Sequence, residues 1–307
     1  MKNSEPEFKE FYNLEDLQLN ISPENGALPT SWGNLGYWKD LNLKQTSDTY
    51  AKACESLACE LADFSGLIKQ SSDLDSSFTV LDTGFGCGDQ LVTWLTRYNI
   101  TRLYGINLSV SQTQMAKQRI STLSSSDFNR TEQVICRLET GDCCDPEQWK
   151  QVPDNVQRIL ALDCAYHFNN KTEYFRLSQS KLAINGVLAV SDLVLNQPIQ
   201  SPLHKLLLKT ICHLSHIPYK QLQTLTEYNE ELKTLGLNLV ANKDITDHVF
   251  MPFGQWLAYF IQDVNRHNKV SGKLNWAKYK GTALFLKWLY KKHILSYQIL
   301  RIEHLQS

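Results

Sequence analysis

Apolar positions along the chain follow two alternating rhythms. Ala53, Leu57, Leu61 and Phe64 recur at helical spacing and Gly66 supplies a stop, which predicts a helix over 47–66. Short apolar, β-branched runs then appear at 79–83, 102–108, 133–139, 158–164 and 186–195 and read as buried strands. Between them, 90–98, 110–123 and 171–182 carry helical spacing, the last ending near Asn185-Gly186, a helix-stop signal. This alternation with short connections predicts an α/β chain with a doubly wound, mostly parallel sheet covered on both faces.

The rhythm changes after Pro198. Residues 199–223 read as helical and mildly basic, 224–235 as a helix, and 237–245 as a return to the sheet. Residues 247–285 are dense in aromatics, among them Phe250, Phe253, Trp256, Tyr259, Phe260 and Trp276, and 294–302 reads as a last strand. The expected organisation is an N-terminal arm (1–31), a core (32–198), a helical lid insertion (199–223), a return to the core sheet (224–246), an aromatic-rich lid insertion (247–285) and a C-terminal core strand (286–307), with a seven-stranded sheet in all.

Composition narrows the partners. The chain has 307 residues, a net charge of -1, 42% hydrophobic and 21% charged residues. That balance offers no field for nucleic acid, and none is expected as a partner. The N-terminus is polar and acidic rather than a signal or transit peptide, and no apolar run reaches the ~18 residues of a membrane span. The eight cysteines form no C-x-x-C pair, and adjacent Cys143 and Cys144 suit an ordinary disulfide poorly. Reduced thiols and a cytoplasmic location are expected.

The candidate chemistry sits at 80–90, VLDTGFGCGDQ. Glycines after a first strand let a loop pass close to a ligand and open a helix whose N–H groups face it. The dinucleotide pattern G-x-G-x-x-G fails here, because its third glycine position is Asp89. Asp82 at the strand tip would repel a pyrophosphate but suits an ammonium group. S-adenosylmethionine carries an ammonium and no phosphate.

The stretch from Asp82 to Gly88 resembles the D-x-G-x-G-x-G motif of class I S-adenosylmethionine-dependent methyltransferases. NLGYW (34–38), LYGINLS (103–109), TGDCCD (140–145), LDCAYHF (162–168), NGVLAVSDL (185–193) and DITDHV (244–249) extend the resemblance over about 32–250. The flavour is that of the small-molecule branch, similar to sterol, tocopherol, cyclopropane-fatty-acid and plant-alkaloid methyltransferases. The resemblance implies a Rossmann-like fold and S-adenosylmethionine as cofactor. Gly84, Gly86 and Gly88 would line its methionine part with Asp82 nearby. Asp142 would accept from the adenine amino group, with Cys143 against the ring. Asp163 and Ala165 would face the methionine moiety, and Tyr37 and Trp38 would close over the cofactor. Many relatives end the second strand with an acid; here Asn107 stands there, so neutral ribose contacts from Asn107, with Leu108 and Gln112 beside it, are expected.

Each residue also has a plainer reading: Asp142 as a turn residue, Asn107 as a strand-end cap, His167 as a histidine bonded to backbone. The sharper reading makes His167 a general base, with Tyr166 and His248 as further catalytic candidates. Tyr219, Phe250, Phe253 and Trp256 are the candidate acceptor wall. His213-x-x-His216 lacks a third ligand nearby in sequence, and no metal is expected. An aromatic-rich lid favours a hydrophobic or aromatic small molecule as acceptor, at N, O or C. The basic segment 205–220 is either a solvated face, a peripheral membrane contact or a contact for an anionic substrate. Two other readings stand beside this one: an RNA or protein methyltransferase, against which the neutral charge and Asp163-Cys-Ala-Tyr166 argue, and a regulatory S-adenosylmethionine-binding protein without catalysis. Oligomeric state is not legible.

Overall fold

The computed structural model describes residues 19–20, 30–45, 48–70, 78–123, 134–267 and 276–306. Most of the predicted N-terminal arm, and the middle of the aromatic-rich insertion, lie outside the described residues. In chain order the elements are α1 (Thr49–Phe64), β1 (Phe78–Thr83), α2 (Asp89–Arg97), β2 (Ile100–Asn107), α3 (Val110–Ser121), β3 (Ile135–Thr140), β4 (Val156–Ala161), α4 (Lys171–Lys181), β5 (Leu182–Leu195), α5 (Pro202–Leu214), α6 (Leu225–Thr234), β6 (Leu237–Asp244), α7 (Thr246–His267), α8 (Trp276–Lys292) and β7 (Leu295–His304), joined in places by short 3₁₀ turns.

The sheet has seven strands in the order β3-β2-β1-β4-β5-β7-β6. β1 to β5 pair in parallel, and β7 inserts antiparallel between β5 and β6. The order reverses between β1 and β4, so their carboxyl ends open the crevice where ligands of such sheets bind. Alternation along the strands splits the core in two. Val80, Leu160, Ala189 and Ile299 face a cluster with α1, α2, α7 and α8. Leu81, Ile159, Leu188 and Leu300 face a cluster with α4 and α6. Burying both faces explains why these strands read as continuous apolar runs.

Local signals set the helix starts. Ser109, Asn170, Ser201 and Thr224 each accept a backbone N–H from the first turn of α3, α4, α5 and α6, and Thr224 with Glu227 forms a reciprocal capping box. Two expectations are corrected. Asn185-Gly186 does not end a helix; it lies inside β5, where pairing with β4 skips from Leu182 to Val187, a bulge. Residues 286–292 are not core strand; they complete α8, whose Leu286 and Leu289 are buried.

α7 contains Pro252, which has no N–H for the carbonyl of His248, four residues earlier. That carbonyl instead accepts the Trp38 N–H at 2.8 Å. The helix defect thus anchors the segment that precedes α1. No helix of the described residues is long and apolar enough to cross a membrane.

Beneath α4 lies a buried ion pair, Lys171 Nζ to Asp192 Oδ2 at 2.6 Å, with Tyr228 OH donating to the same oxygen at 3.2 Å. Removing only the cation strands a buried carboxylate. Lys171→Met is expected to cost about 3–5 kcal/mol in urea unfolding, and Lys171→Met with Asp192→Leu to cost less than Lys171→Met alone. A double variant less stable than the single one would contradict this account.

Candidate functional site

A cavity of about 1150 Å³ opens at the carboxyl ends of β1, β2 and β4 and runs under α5, α7 and α8. The loop after β1 forms one wall. Gly84 (φ +81) has no room for a side chain, since an added Cβ would sit 2.7 Å from Cys164 Sγ. Gly86 (φ +55) is different: an added Cβ would meet nothing within 4 Å. The backbone there borders open space, which is what a ligand lying against the loop requires. Gly86 N–H donates to Asn107 Oδ1 at 3.2 Å, fastening the loop to the end of β2.

Asn107 Nδ2 in turn donates to Ser109 O and to Gln112 Oε1, each at 3.3 Å. These residues, with Leu108, Asp142 and Cys143, continue the same wall. Asp142 Oδ1 accepts the Cys144 N–H at 2.8 Å and so shapes its own turn, as the plainer reading foresaw, while also facing the cavity.

Asp163 follows β4 with φ +54, a strained position for a non-glycine. Its Oδ1 accepts from Tyr166 OH at 2.8 Å and from Tyr297 OH on β7. Its Oδ2 accepts the Leu35 N–H at 2.8 Å, and its own N–H donates to Ser191 Oγ at 2.7 Å. Desolvation by burial pushes its pKa up to about 6 although the two tyrosines and the Leu35 N–H hold it down. Next to it, His167 sits half-buried on the cavity wall, and desolvation drives its pKa down to about 4. Nδ1 lies 3.1 Å from His216 O. A carbonyl only accepts, so Nδ1 carries the proton and Nε2 is the unprotonated nitrogen.

Not every expected residue reaches the cavity. Asp82 is fully buried behind it: Gln90, which does line the wall, donates Nε2–H to Asp82 Oδ2 at 2.8 Å, and Oδ1 has no partner among the described residues. Desolvation pushes the Asp82 pKa up to about 8. Gly88 lets α2 approach α3, since an added Cβ would lie 2.8 Å from Ala116 Cβ. Ala165 is buried and does not line the cavity. Of the aromatic wall, Phe253 lines it, whereas Phe250 packs edge-on against Tyr297 and Trp256 stacks with Tyr50 and Phe260. Tyr219 lies under the Lys209 ammonium, away from the cavity wall. Tyr37 and Trp38 are buried behind the wall; Trp38 Nε1–H bonds Leu35 O at 2.7 Å and Tyr37 meets the His248 ring edge. His248 belongs to a separate small depression with Asp244 and His293, so its catalytic assignment is not supported by its place.

Other lining residues escaped the sequence reading. Asp89 accepts the Ser31 N–H with both oxygens at 3.2 Å and pairs with Arg119 at 3.1 Å, drawing the segment before α1 across the cavity. Ile211, Leu214, Phe285 and Trp288 bring α5 and α8 to the apolar end. The helical character of 199–223, which holds Ile211 and Leu214, was visible but not which face turned inward; Phe285 and Trp288 fell in a stretch for which no helix was expected.

The mycolic acid cyclopropane synthetase family profile matches residues 38–283. The chain belongs to that family. The methyltransferase is 28% identical over 233 residues to erythromycin 3''-O-methyltransferase of Saccharopolyspora erythraea, covering 75% of this chain and 68% of that one. It is 24% identical over 221 residues to methyltransferase GfsG of Streptomyces halstedii, covering 72% and 71%. Its fold matches the mycolic acid cyclopropane synthase CmaA1 complexed with SAH and CTAB, with a TM-score of 0.63, 16% identity and coverage of 95% and 98%. It is a small-molecule methyltransferase with S-adenosylmethionine as cofactor, on a Rossmann-like α/β fold. The residues present fit that cofactor: the open space at Gly86 admits a ligand against the backbone, and Asn107, Gln112, Asp142 and Asp163 set polar side chains along the same wall.

The two glycines separate by function. Gly86→Ala is expected to lower stability by about 1 kcal/mol, the cost of a left-handed alanine, and to weaken S-adenosylhomocysteine binding at least tenfold by calorimetry. Gly88→Ala is expected to act mainly on thermal stability through its clash with Ala116. Equal effects of the two changes on affinity would refute the distinction.

Proposed function

We propose that this methyltransferase methylates a hydroxyl on a bulky, largely apolar small molecule, with His167 as the general base. One observation carries the reading: His167, neutral and with Nε2 unprotonated, lies on a cavity wall continuous with both the glycine loop and the apolar underside of α5, α7 and α8. The cavity exceeds the ~300–1,000 Å³ usual for one small ligand, so it has room for cofactor and acceptor together. The resemblance to an enzyme named for O-methylation of erythromycin supports oxygen as the acceptor atom.

Gly84, Gly86, Asn107, Leu108, Gln112, Asp142, Cys143 and Asp163 form the proposed cofactor end, with Asp82 behind Gln90 as the acidic backing. Phe253 and the leucines of α5 form the proposed acceptor end. When bound, S-adenosylmethionine supplies an activated methyl group. The chain's part is to align the acceptor oxygen, exclude water, and take the hydroxyl proton on His167 Nε2. Tyr166 holds Asp163 in place and lends the adjacent wall its polar edge.

The partner reading is completed at the cavity mouth. Leu214 and Leu284 line the cavity yet are 72% and 68% exposed, and neither α5 nor α8 contains an acidic residue. Peripheral contact with an anionic membrane surface through this rim is therefore proposed, and the eight free thiols support a reducing, cytoplasmic setting. Co-sedimentation with phosphatidylglycerol vesicles, weakened by Leu214→Glu and by salt, is expected; equal recovery with neutral vesicles would count against it.

His167→Ala is expected to lower kcat about 10²-fold on a hydroxyl-bearing macrolide panel while S-adenosylhomocysteine affinity stays within twofold. The sign of the pH effect follows from burial. The folded imidazole protonates near 4 and the unfolded one near 6.5, so turnover holds from neutral pH down to about 5 and falls below it. The same shift makes His167's contribution to stability fade as pH drops from 6.5 toward 4. Unchanged kcat in His167→Ala would remove the base from the proposal.

A further inference from the structure

The cofactor end of the cavity carries a thiol pair whose sulfur chemistry methyl transfer does not call on. Residues 141–145 form a tight turn. Gly141 N–H donates to Asn107 O at 2.9 Å, Asp145 N–H to Asp142 O at 2.9 Å, and Cys144 N–H to Asp142 Oδ1 at 2.8 Å. Trp149 Nε1–H holds the Cys143 carbonyl at 2.8 Å. This fixed backbone gathers one ligand atom each from Asp142, Cys143 and Cys144 within 4.8 Å of one another. Asp142 is exposed, Cys143 buried and Cys144 half-buried, so the cluster spans the cavity wall from surface to interior.

Those dimensions match a tetrahedral thiolate site. With metal–sulfur bonds of about 2.3 Å, two sulfurs on one zinc stand roughly 3.8 Å apart, a separation inside the 4.8 Å that bounds the three ligand atoms here. Neighbouring cysteines are poorly disposed to close a disulfide on each other, which keeps the pair available as a dithiol. Two thiolates and a carboxylate form a donor set that suits a borderline or soft cation with no geometric demand of its own.

We propose that Asp142, Cys143 and Cys144 bind one thiophilic divalent cation, Zn²⁺ or Cd²⁺, and that this cation and S-adenosylmethionine exclude each other. Binding converts both S–H groups to thiolates, so two protons pass to solvent per ion; the carboxylate ligates as it stands and a water completes the tetrahedron. Exclusion follows from place, because Asp142 and Cys143 line the same cavity wall as Gly86 and Asn107. This step rests on reading that wall as the cofactor end.

The test is a titration of metal-free protein with Cd²⁺, followed by the charge-transfer absorption of cadmium thiolate. One equivalent per chain is expected, with the apparent Kd raised at least tenfold in Cys143→Ser and in Cys144→Ser and unchanged in Cys59→Ser on α1. Saturating S-adenosylhomocysteine should suppress the signal in the unaltered protein, a result that needs no variant to fold. An undiminished signal in Cys143→Ser/Cys144→Ser would overturn the site. Independent binding of Cd²⁺ and S-adenosylhomocysteine would overturn the exclusion. Failure of S-adenosylhomocysteine to bind the metal-free protein would instead strike the cofactor reading, while the variant series still decides the metal site.

Discussion

The architecture of the site hangs on the carboxylate of Asp163. It gathers hydroxyl donors from Tyr166 and from Tyr297 on β7, and a backbone donor from Leu35, while its own N–H is held by Ser191 on β5. The segment before α1, β5 and β7 thus converge on one residue at the tip of β4, Leu35 and Tyr297 on its carboxylate and Ser191 on its backbone, with Tyr166 adding a local tie. The left-handed backbone at Asp163 costs on the order of 1–3 kcal/mol and is tolerated because the surroundings over-determine it. Satisfying both oxygens offsets the desolvation of the group, which still shows in its raised pKa.

A second anchor reinforces the first. Pro252 leaves the His248 carbonyl without its helical donor, and Trp38 supplies one. Together with Asp89 holding Ser31, these ties lay the segment before α1 over the crevice between β1 and β4. A stretch with little secondary structure of its own becomes cavity wall because three separate elements each satisfy one of its backbone groups.

Desolvation then sets the chemistry of the neighbouring groups in opposite senses. The same low-polarity surroundings that push Asp163 and Asp82 toward protonation push His167 toward neutrality. The bond from Nδ1 to the His216 carbonyl adds orientation, because it couples the loop after β4 to the loop after α5. The insertion that covers the cavity therefore also fixes which imidazole nitrogen carries the proton. The acceptor end is built differently, from apolar side chains on three helices, and selects by shape and hydrophobic area.

Most of the fold was legible in the chain. Strand periodicity, capping residues and the D-x-G-x-G-x-G stretch are local properties, and burial on both sheet faces leaves an apolar run that a sequence cannot hide. The candidate wall was legible in part: Gly84, Gly86, Asn107, Asp142, Asp163 and His167 all line the cavity. Gly88, Trp256, Phe250 and His248 do not, because the same residue types serve packing, and spacing cannot say which way a helix turns. Asp89 looked like a helix start and proved to be the tether of Ser31 as well. The core strand was bounded at 286, eight residues before the strand pattern at 294, because 286–292 mixes apolar and lysine positions and carries no stop signal; it belongs to α8. What the sequence by itself determined was the order and type of elements and the close approach of the glycine loop, since these follow from backbone sterics and periodicity. Only the tertiary structure decided which side chains share the cavity, which imidazole nitrogen is unprotonated and where Asp82 stands, because those depend on burial and on partners that spacing does not reveal: Gln90 for Asp82, the His216 carbonyl for His167, and Leu35 and Tyr297, each more than a hundred residues away, for Asp163.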